Sequence, residues 1–319
     1  MKNIKKRFTP GGILALLAAS LLTLSACATG ESVKCVFSST LQETTLPIDE
    51  DFHSIHILSD TEDITLLPAE DGVCRVVSYN NKKITYTAEV EDGTLNIRTE
   101  DARKWYERIF GFGDKALTLY LPTGAYDSLT IEEDTGDVTV PADFRFTGDV
   151  TLALSTGNTD VRASVDGALR IAASTGDVFV GDNACGTLSV STSTGDVTLA
   201  NLASGDLTVK VRTGHITLAN VRCDDLLSTG SSGDVRMTDV IANGAICMER
   251  STGDVIMDRC DAAELVLTIG TGDVCGTLLS DKVFIVRTNA GNINVPETVK
   301  GGICKINTTT GNIEIAIAP

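Results

Sequence analysis

Acidic residues recur at a fixed spacing through the second half of this 319-residue chain. Each lies in a phrase of Ser or Thr, Gly, Asp or Asn, then Val or Ile, of which residues 193–197 are the clearest copy. Stacked carboxylates in β-solenoids bind Ca²⁺ in some proteins. The candidate calcium ligands are Asp177, Asp196, Asp234, Asp254 and Asp273.

A calcium site is nevertheless the weaker interpretation of this column. His215 and several asparagines interrupt it, and the period is longer than the roughly nine residues of calcium-binding rolls. Asp and Asn side chains beside a glycine commonly bond the amides of their own turn. We therefore interpret the repeated Asp as turn chemistry and predict no metal.

The histidines and the remaining acidic residues do not form a recognisable catalytic set. His53, His56 and His215 are the three histidines, and the first two, three apart, fall on opposite faces of a strand, which disfavours a shared metal. Pairs of Asp are numerous enough for glycoside hydrolysis, but the repeat selects none of them. The repeats also lack aromatic platforms on which sugars stack. We predict no catalytic residue and no cofactor.

The N-terminus predicts covalent lipid attachment. Four basic residues precede an apolar stretch, residues 13–22, that is too short to span a bilayer, which is typical of a secretory signal. Residues 24–27, Leu-Ser-Ala-Cys, resemble the lipobox of bacterial lipoproteins, in which the cysteine becomes the lipidated first residue. We predict a signal peptide at 1–26 and a lipidated tether at 27–40 beginning at Cys27. The alternative is an ordinary signal-peptidase site.

Charge restricts the partners. The formal net charge is −17, and removing residues 1–26 takes away four basic and no acidic side chains, which makes it −21. A chain this acidic should not bind nucleic acid or anionic lipid through its charge. We predict a protein held at the extracytoplasmic face of the cell membrane by its lipid, with an unknown protein or a surface polymer as partner.

The recurring phrase defines the elements that carry these residues. Its glycines are separated by steps of 19 to 21 residues, and a fixed period of this length is the signature of a solenoid. They stand at positions 136, 157, 176, 195, 214, 233, 253, 272, 291 and 311. With few exceptions, apolar residues occupy the second and fourth places after each glycine and the seventh and fifth places before it. Alternation at period two predicts strands, so each coil should hold two short strands and two corners.

The region before the regular repeats is β-like but uneven. We predict irregular β coils or a cap over residues 41–126 and regular solenoid repeats over 127–319. One segment, residues 101–113, breaks the strand pattern and contains the only Trp. It is interpreted either as a flap over the fold or as an exposed aromatic loop that touches a membrane or partner. The contact residues of that second interpretation are Trp105, Tyr106, Phe110 and Phe112.

The last coil, residues 310–317, has no evident cap sequence after it. An uncapped coil leaves unpaired backbone groups at its edge. We therefore predict that this coil forms an open end of the stack and permits end-to-end self-association. The whole is an all-β, single-chain β-solenoid of about ten regular coils.

The order of these features resembles a bacterial family, the adhesin-like or toastrack domain of unknown function. The resemblance rests on the lipobox, Phe-His-Ser-Ile at 52–55, the hairpin at 91–97, Leu-Pro at 121–122 and the Thr-Gly-Asp-Val coils. It covers roughly residues 50–319 and implies an envelope-facing β-solenoid. Relatives fused to membrane segments are associated with envelope-stress signalling. No catalytic residues come with the family.

Three functions follow from these observations. The first is a non-catalytic envelope lipoprotein that presents a rigid, acidic solenoid for adhesion or scaffolding contacts. The second is an envelope-stress or signalling module that binds a membrane protein or a small ligand. The third and least favoured is a β-helical carbohydrate-active enzyme.

Overall fold

Strands make up the regular structure of the protein in the computed structural model, which describes residues 42–80, 83–102 and 116–318. These residues fall in one compact unit, Thr40–Pro319. The predicted all-β solenoid is confirmed, with no helix in the described ranges. Nothing in those ranges is a helix with the length and apolarity needed to cross a membrane.

Each regular coil has three sides rather than the predicted two. After the corner glycine Gly195 the chain runs along a second side, turns at Asn201, follows a third side of three residues and turns again at Gly205 and Asp206. Asn201 has a positive φ of 51°, and the chain pairs with the neighbouring coils both before and after this turn. The apolar alternation slips by one place at this corner, from Leu199 to Leu202, and the predicted columns, which end at the fourth place after each glycine, did not reach it.

The long side of the solenoid is a stack of parallel strands with one antiparallel strand at its first end. In spatial order it consists of β5 (Ile84–Glu91), β6 (Thr94–Asp101), β2 (Ser54–Ser59), β9 (Ser128–Thr135), β12 (Val150–Thr156), β14 (Ser164–Thr175), β15 (Val178–Thr194), β17 (Leu207–Thr213), β19 (Leu226–Ser232), β21 (Ala245–Thr252), β23 (Glu264–Thr271), β27 (Gly302–Thr310) and β25 (Lys282–Ala290).

The second side is built in the same way, and the third is shorter. In spatial order the second side consists of β1 (Gln42–Pro47), β4 (Arg75–Asn80), β7 (Ala116–Leu121), β3 (Asp63–Pro68), β10 (Val138–Val140), β13 (Thr159–Val161), the start of β15, β16 (Val197–Ser204), β18 (Ile216–Cys223), β20 (Val235–Ala242), β22 (Val255–Cys260), β24 (Val274–Leu278), β28 (Ile313–Ile317) and β26 (Ile293–Asn294). The third side begins with β8 (Ala125–Tyr126) and β11 (Arg145–Phe146) and continues through the ends of the longer strands.

The core is a set of apolar columns that run along the stack. Residues at the same place in successive coils are direct partners, as Val190 is of Val209 and Leu199 is of Leu218. These four side chains are fully buried. Because parallel pairing repeats at about 4.8 Å, each apolar side chain packs on its copy in the next coil. The repeat in the sequence is therefore the repeat of the core.

Both ends of the stack depart from chain order. At the first end the antiparallel strands β5, β4 and β1 lie outside the parallel coils. At the other end β27 pairs with β23 on one side and with β25 on the other, so the coil of residues 302–317 lies inside the coil of residues 282–295. The prediction that residues 310–317 form the open end is therefore wrong. The outermost coil is the one that contains β25 and β26.

Candidate functional site

A ladder of side-chain hydrogen bonds runs along the corner formed by the repeated glycines. Asp177 Oδ1 accepts the backbone N–H of Asp196 at 2.8 Å, and Asp196 Oδ1 accepts that of His215 at 2.7 Å. Equivalent bonds of 2.6–3.0 Å are made by Asp63, Asp137, Asn158, Asp234, Asp254, Asp273 and Asn312. The predicted bonding of each Asp to its own turn is therefore corrected: each side chain bonds the next coil.

The five candidate calcium ligands are all part of this ladder. Each has one carboxylate oxygen engaged by a backbone N–H of the following coil. His215 replaces an Asp and performs the same task, since its Nδ1 accepts the N–H of Asp234 at 3.2 Å. In residues 42–80, 83–102 and 116–318 no group of three or more metal-ligating side chains converges. The ladder links coils and stabilises their stacking.

A second ladder, not predicted, follows the corner between the second and third sides. Asp182, Asn201, Asn220, Asp239 and Arg259 each have a positive φ of 51–55°. Asn220 donates to Asn201 and Asn201 donates to Asp182, at 3.0 and 2.8 Å between side chains. Asn and Asp tolerate this conformation better than other residues with a side chain. The signal in the sequence is that each stands six places after a corner glycine.

The outward side chains of the long side form a flat surface that we call the hydroxyl face. Side chains in these strands alternate between buried and exposed, and most of the exposed ones are small and polar. Its hydroxyl residues are Thr130, Thr151, Ser155, Ser174, Ser189, Ser191, Ser193, Thr208, Thr229, Ser231, Ser251 and Thr268. Because the strands are parallel and in register, the hydroxyls form rows at the coil spacing.

Acidic corners frame this face, which is itself not acidic. One border is the Asp ladder, and the other carries the exposed Asp149, Asp206 and Asp225. The charged side chains on the face between β9 and β25 are mostly basic. They are Glu132, Asp134, Arg170, Lys210, Arg212, Glu249, Arg287 and Lys305. The acidity of the chain is thus placed in its corners, and the broad surface offers hydroxyls with a few positive charges.

Two shallow hollows lie where the hydroxyl face meets the glycine corner. One, of about 500 Å³, includes Thr229, Ser251 and Arg250; the other, of about 420 Å³, includes Ser155 and Glu133. Glu133 and Arg250 both occupy the inward column three places before a corner glycine. They are only 3% and 2% exposed. Sequence reasoning missed both, although each breaks an otherwise mostly uncharged column.

Glu133 is buried beside a second carboxyl group. Its Oε1 accepts the N–H of Thr135 at 3.1 Å, while its Oε2 has no hydrogen-bond partner in the described part of the chain. Burial, with a smaller contribution from the neighbouring Glu62 carboxylate, raises the pKa of Glu133 to about 8, and the hydrogen-bonding groups of Ser59 and Thr135 only partly oppose this shift. The proton is therefore retained at neutral pH.

This raised pKa predicts a loss of stability with rising pH. The folded-state pKa, about 8, lies above the ordinary 4.5. The stability that the fold has with Glu133 protonated is therefore fully present below pH 4.5 and is lost as pH rises through 8. Glu133→Gln keeps the shape of the protonated acid and should remove this dependence. We expect the free energy of unfolding of the variant to exceed that of the original by about 4 to 5 kcal/mol near pH 9 and by less than about 1 kcal/mol near pH 5.

Urea unfolding at the two pH values measures this difference. The matched control is Glu132→Gln on the neighbouring residue, whose side chain is 57% exposed and lies 3.6 Å from His56 Nε2. The control should follow the original protein at both pH values. Parallel pH profiles for the original protein and Glu133→Gln would contradict the assignment.

The described cysteines are poor nucleophiles. Seven are free thiols: Cys74, Cys185, Cys223, Cys247, Cys260, Cys275 and Cys304. Burial raises the pKa of Cys74 and Cys304 to about 12 and that of Cys185, Cys223 and Cys260 to about 11. A thiol with such a pKa stays protonated at neutral pH, and the thiolate is the reactive and metal-binding form.

Two predicted sites lie outside the described residues. They are the lipidation site Cys27 and the aromatic contact residues Trp105, Tyr106, Phe110 and Phe112. Both remain predictions from the sequence. The three histidines, in contrast, are placed: Nδ1 of His53 is 3.0 Å from Asp127, His56 is close to Glu132, and His215 belongs to the Asp ladder. They are not brought together.

Comparisons with known proteins identify relatives of the fold. The family model described as Toastrack DUF4097 matches residues 52–238 and 185–319. No curated protein matches.

Three of the similar solved structures come from the genera Parabacteroides and Bacteroides. A "putative adhesin" from Parabacteroides distasonis ATCC 8503 has 12% identity and a TM-score of 0.47, with 88% of this chain and 98% of that one covered. A "putative lipid binding protein" from the same strain has 15% identity, a TM-score of 0.46 and coverages of 86% and 96%. A "putative adhesin" from Bacteroides fragilis NCTC 9343 has 16% identity, a TM-score of 0.43 and coverages of 88% and 99%.

Proposed function

Because this chain belongs to the Toastrack DUF4097 family, we propose that its β-solenoid is a non-catalytic adhesion module of the cell envelope. The hydroxyl face is the observation that carries the proposal. It is flat, it extends over successive coils, and its rows of Ser and Thr repeat at the coil spacing. A surface of this kind suits a partner that is itself extended and repetitive.

The chemistry of the face selects the class of partner. Ser and Thr hydroxyls both donate and accept hydrogen bonds, so rows of them match a polymer rich in hydroxyl or amide groups. The formal net charge of −17 disfavours polyanions. The partner is therefore a neutral surface polymer, such as an uncharged polysaccharide.

One substitution on the face tests this function. Ser191 is exposed near the middle of the hydroxyl face, and Ser191→Glu places a bulky charge in its rows. We expect the purified variant to lose at least tenfold in affinity for the neutral polymers that the original protein binds, measured on an array of immobilised polysaccharides. Tenfold corresponds to about 1.4 kcal/mol, within reach of one charged group at a contact surface.

The matched control is Thr198→Glu on the second side of the same coil, where the residue is partly exposed. It adds the same charge away from the face and should bind as the original does. Equal loss in both variants would indicate a general charge effect. Capture of a membrane sensor, with no polymer bound, would favour the envelope-stress alternative.

We also propose that the protein is anchored by lipid on Cys27. The lipobox at residues 24–27 and the acidic charge support this, since a formal net charge of −17 disfavours attachment to an anionic membrane through charge. In cells, Cys27→Ala should move the protein from the detergent-extracted membrane fraction into the soluble fractions. Mass spectrometry of the mature N-terminus reads the modification directly. An unmodified Cys27 in the original protein would contradict the proposal.

A further inference from the structure

Arg250 is a cation inside the solenoid. It lies in β21, at the inward position where the next coil has Ile269, and only 2% of it is exposed. No ion pair within the described ranges includes it, and burial lowers the pKa of its guanidinium, with Asp234 opposing that shift. A buried guanidinium is costly unless its donors and its charge are satisfied.

The coil before it is shaped to receive this side chain. Gly230 pairs with Arg250 across the strands, and a Cβ on Gly230 would lie 2.2 Å from Arg250 Nη1. Nη1 donates to the backbone oxygen of Val211, one coil further, at 3.2 Å. Ser228, also fully buried, stands where the other coils have Val209 and Met248. Two inward positions in this coil are therefore small.

The remaining donors of Arg250 point to a ligand. Its Nε and Nη2 have no hydrogen-bond partner among the residues that the structure describes, and neither has Ser228 Oγ. Nε and one terminal nitrogen form the side edge of a guanidinium, two parallel N–H groups that bind both oxygens of a carboxylate or phosphate. The two unpartnered nitrogens of Arg250, Nε and Nη2, are one Nε and one terminal nitrogen, as this edge requires.

We propose that Arg250 and Ser228 bind one small oxyanion, of the carboxylate or phosphate type, beside Gly230. The occupant is small because both donor nitrogens are buried. It carries little charge because the whole chain is strongly acidic. Its entry is the hollow that Thr229, Ser231 and Ser251 line together with Arg250.

Thermal unfolding of the full chain in different anions tests the site. Inorganic phosphate and formate are compared with chloride at equal ionic strength. The melting temperature of the original protein should rise saturably by several degrees in phosphate or formate and not in chloride, because only a ligand of the native state stabilises it. Arg250→Met should lose this rise, and in chloride it should melt at least as high as the original because the uncompensated charge is gone.

The control is Arg236→Met, which removes an exposed arginine on the second side of the same coil as Gly233. It should respond to phosphate and formate as the original does. Equal responses of the original protein and Arg250→Met, or a response to chloride as large as that to phosphate, would overturn the proposal.

A second measurement needs no variant: a crystal soaked in selenate should show an anomalous peak within hydrogen-bonding distance of Nε and Nη2 of Arg250. Peaks confined to the surface would identify an adventitious ion only and reject the site.

Discussion

Replacing Gly195 by alanine should destabilise the protein by about 4 kcal/mol or more, among the largest effects of a single substitution. Gly195 has a φ of +142°, a conformation that residues with a Cβ rarely adopt. An added Cβ would lie 1.9 Å from the backbone oxygen of Gly176 in the preceding coil. The backbone cannot move away, because the N–H of Gly195 is bonded to Thr213 in the following coil at 3.0 Å.

Urea or thermal unfolding measures this loss, and the chain offers a matched control. Gly124 has no atom within 4 Å of the position that a Cβ would take, and its φ lies outside the positive range. Gly124→Ala should therefore change the unfolding free energy by less than about 0.5 kcal/mol. If Gly195→Ala were as mild as Gly124→Ala, close contact between coils at this corner would be refuted.

Deletion of one whole coil, residues 188–206, should leave a folded and shorter solenoid. The cut joins Thr187 to Leu207 and brings each remaining residue against a partner of the same kind, because residues 188–206 and the following coil align without a shift. The side-chain hydrogen bonds between coils would also be kept, because Asn220 would donate to Asp182 where it now donates to Asn201. Stability in a stacked array is a sum of repeats and their contacts, so the loss is partial.

Deletion of about half a coil, residues 188–197, should instead prevent folding. This deletion places residues of the second side where strands of the long side must pair. Apolar side chains of the second side would then point outward. Circular dichroism and cooperative urea unfolding distinguish the two deletions. Failure of the whole-coil deletion to fold, or cooperative folding of the half-coil deletion, would contradict the proposed repeat unit.

The regular coils could be predicted from the sequence because local and long-range order coincide in them. Val190 and Val209 occupy the same place in the repeat and are also direct neighbours in space. The third side escaped prediction because it is only three residues long, too short to show an alternation of its own after the apolar pattern slips by one place at Asn201. The ladder at Asn201 was visible in the sequence only as a further column with the same period.

The order of the last two coils could not be predicted from the period, since both coils fit equally well against β23. Their second sides explain the observed order. β28 runs from Ile313 to Ile317 and pairs along the whole of β24, whereas β26 ends at Asn294. Pro296 follows it, and a proline lacks the N–H that an inner strand needs. The coil with the proline therefore lies outside.

Buried charge marks the limit of prediction from the pattern. The register places Glu133 and Arg250 inward, but it does not show that Gly230 makes room for the arginine or that Glu62 lies beside the glutamate. The neighbours that accommodate a buried charged side chain lie in other coils, and whether they make room for it depends on their side-chain volumes. Cys27 and the aromatic segment around Trp105 stay predictions, since they lie outside the described residues.

Adhesion through the hydroxyl face should be visible in the attachment of whole cells. Cells that carry the original protein, Ser191→Glu or Thr198→Glu are compared with cells that lack the chain, on surfaces coated with a neutral polysaccharide. With equal surface amounts of each protein, attachment should be high for the original and for Thr198→Glu and should fall to the level of cells without the chain for Ser191→Glu. Equal attachment by all four would contradict adhesion through this face.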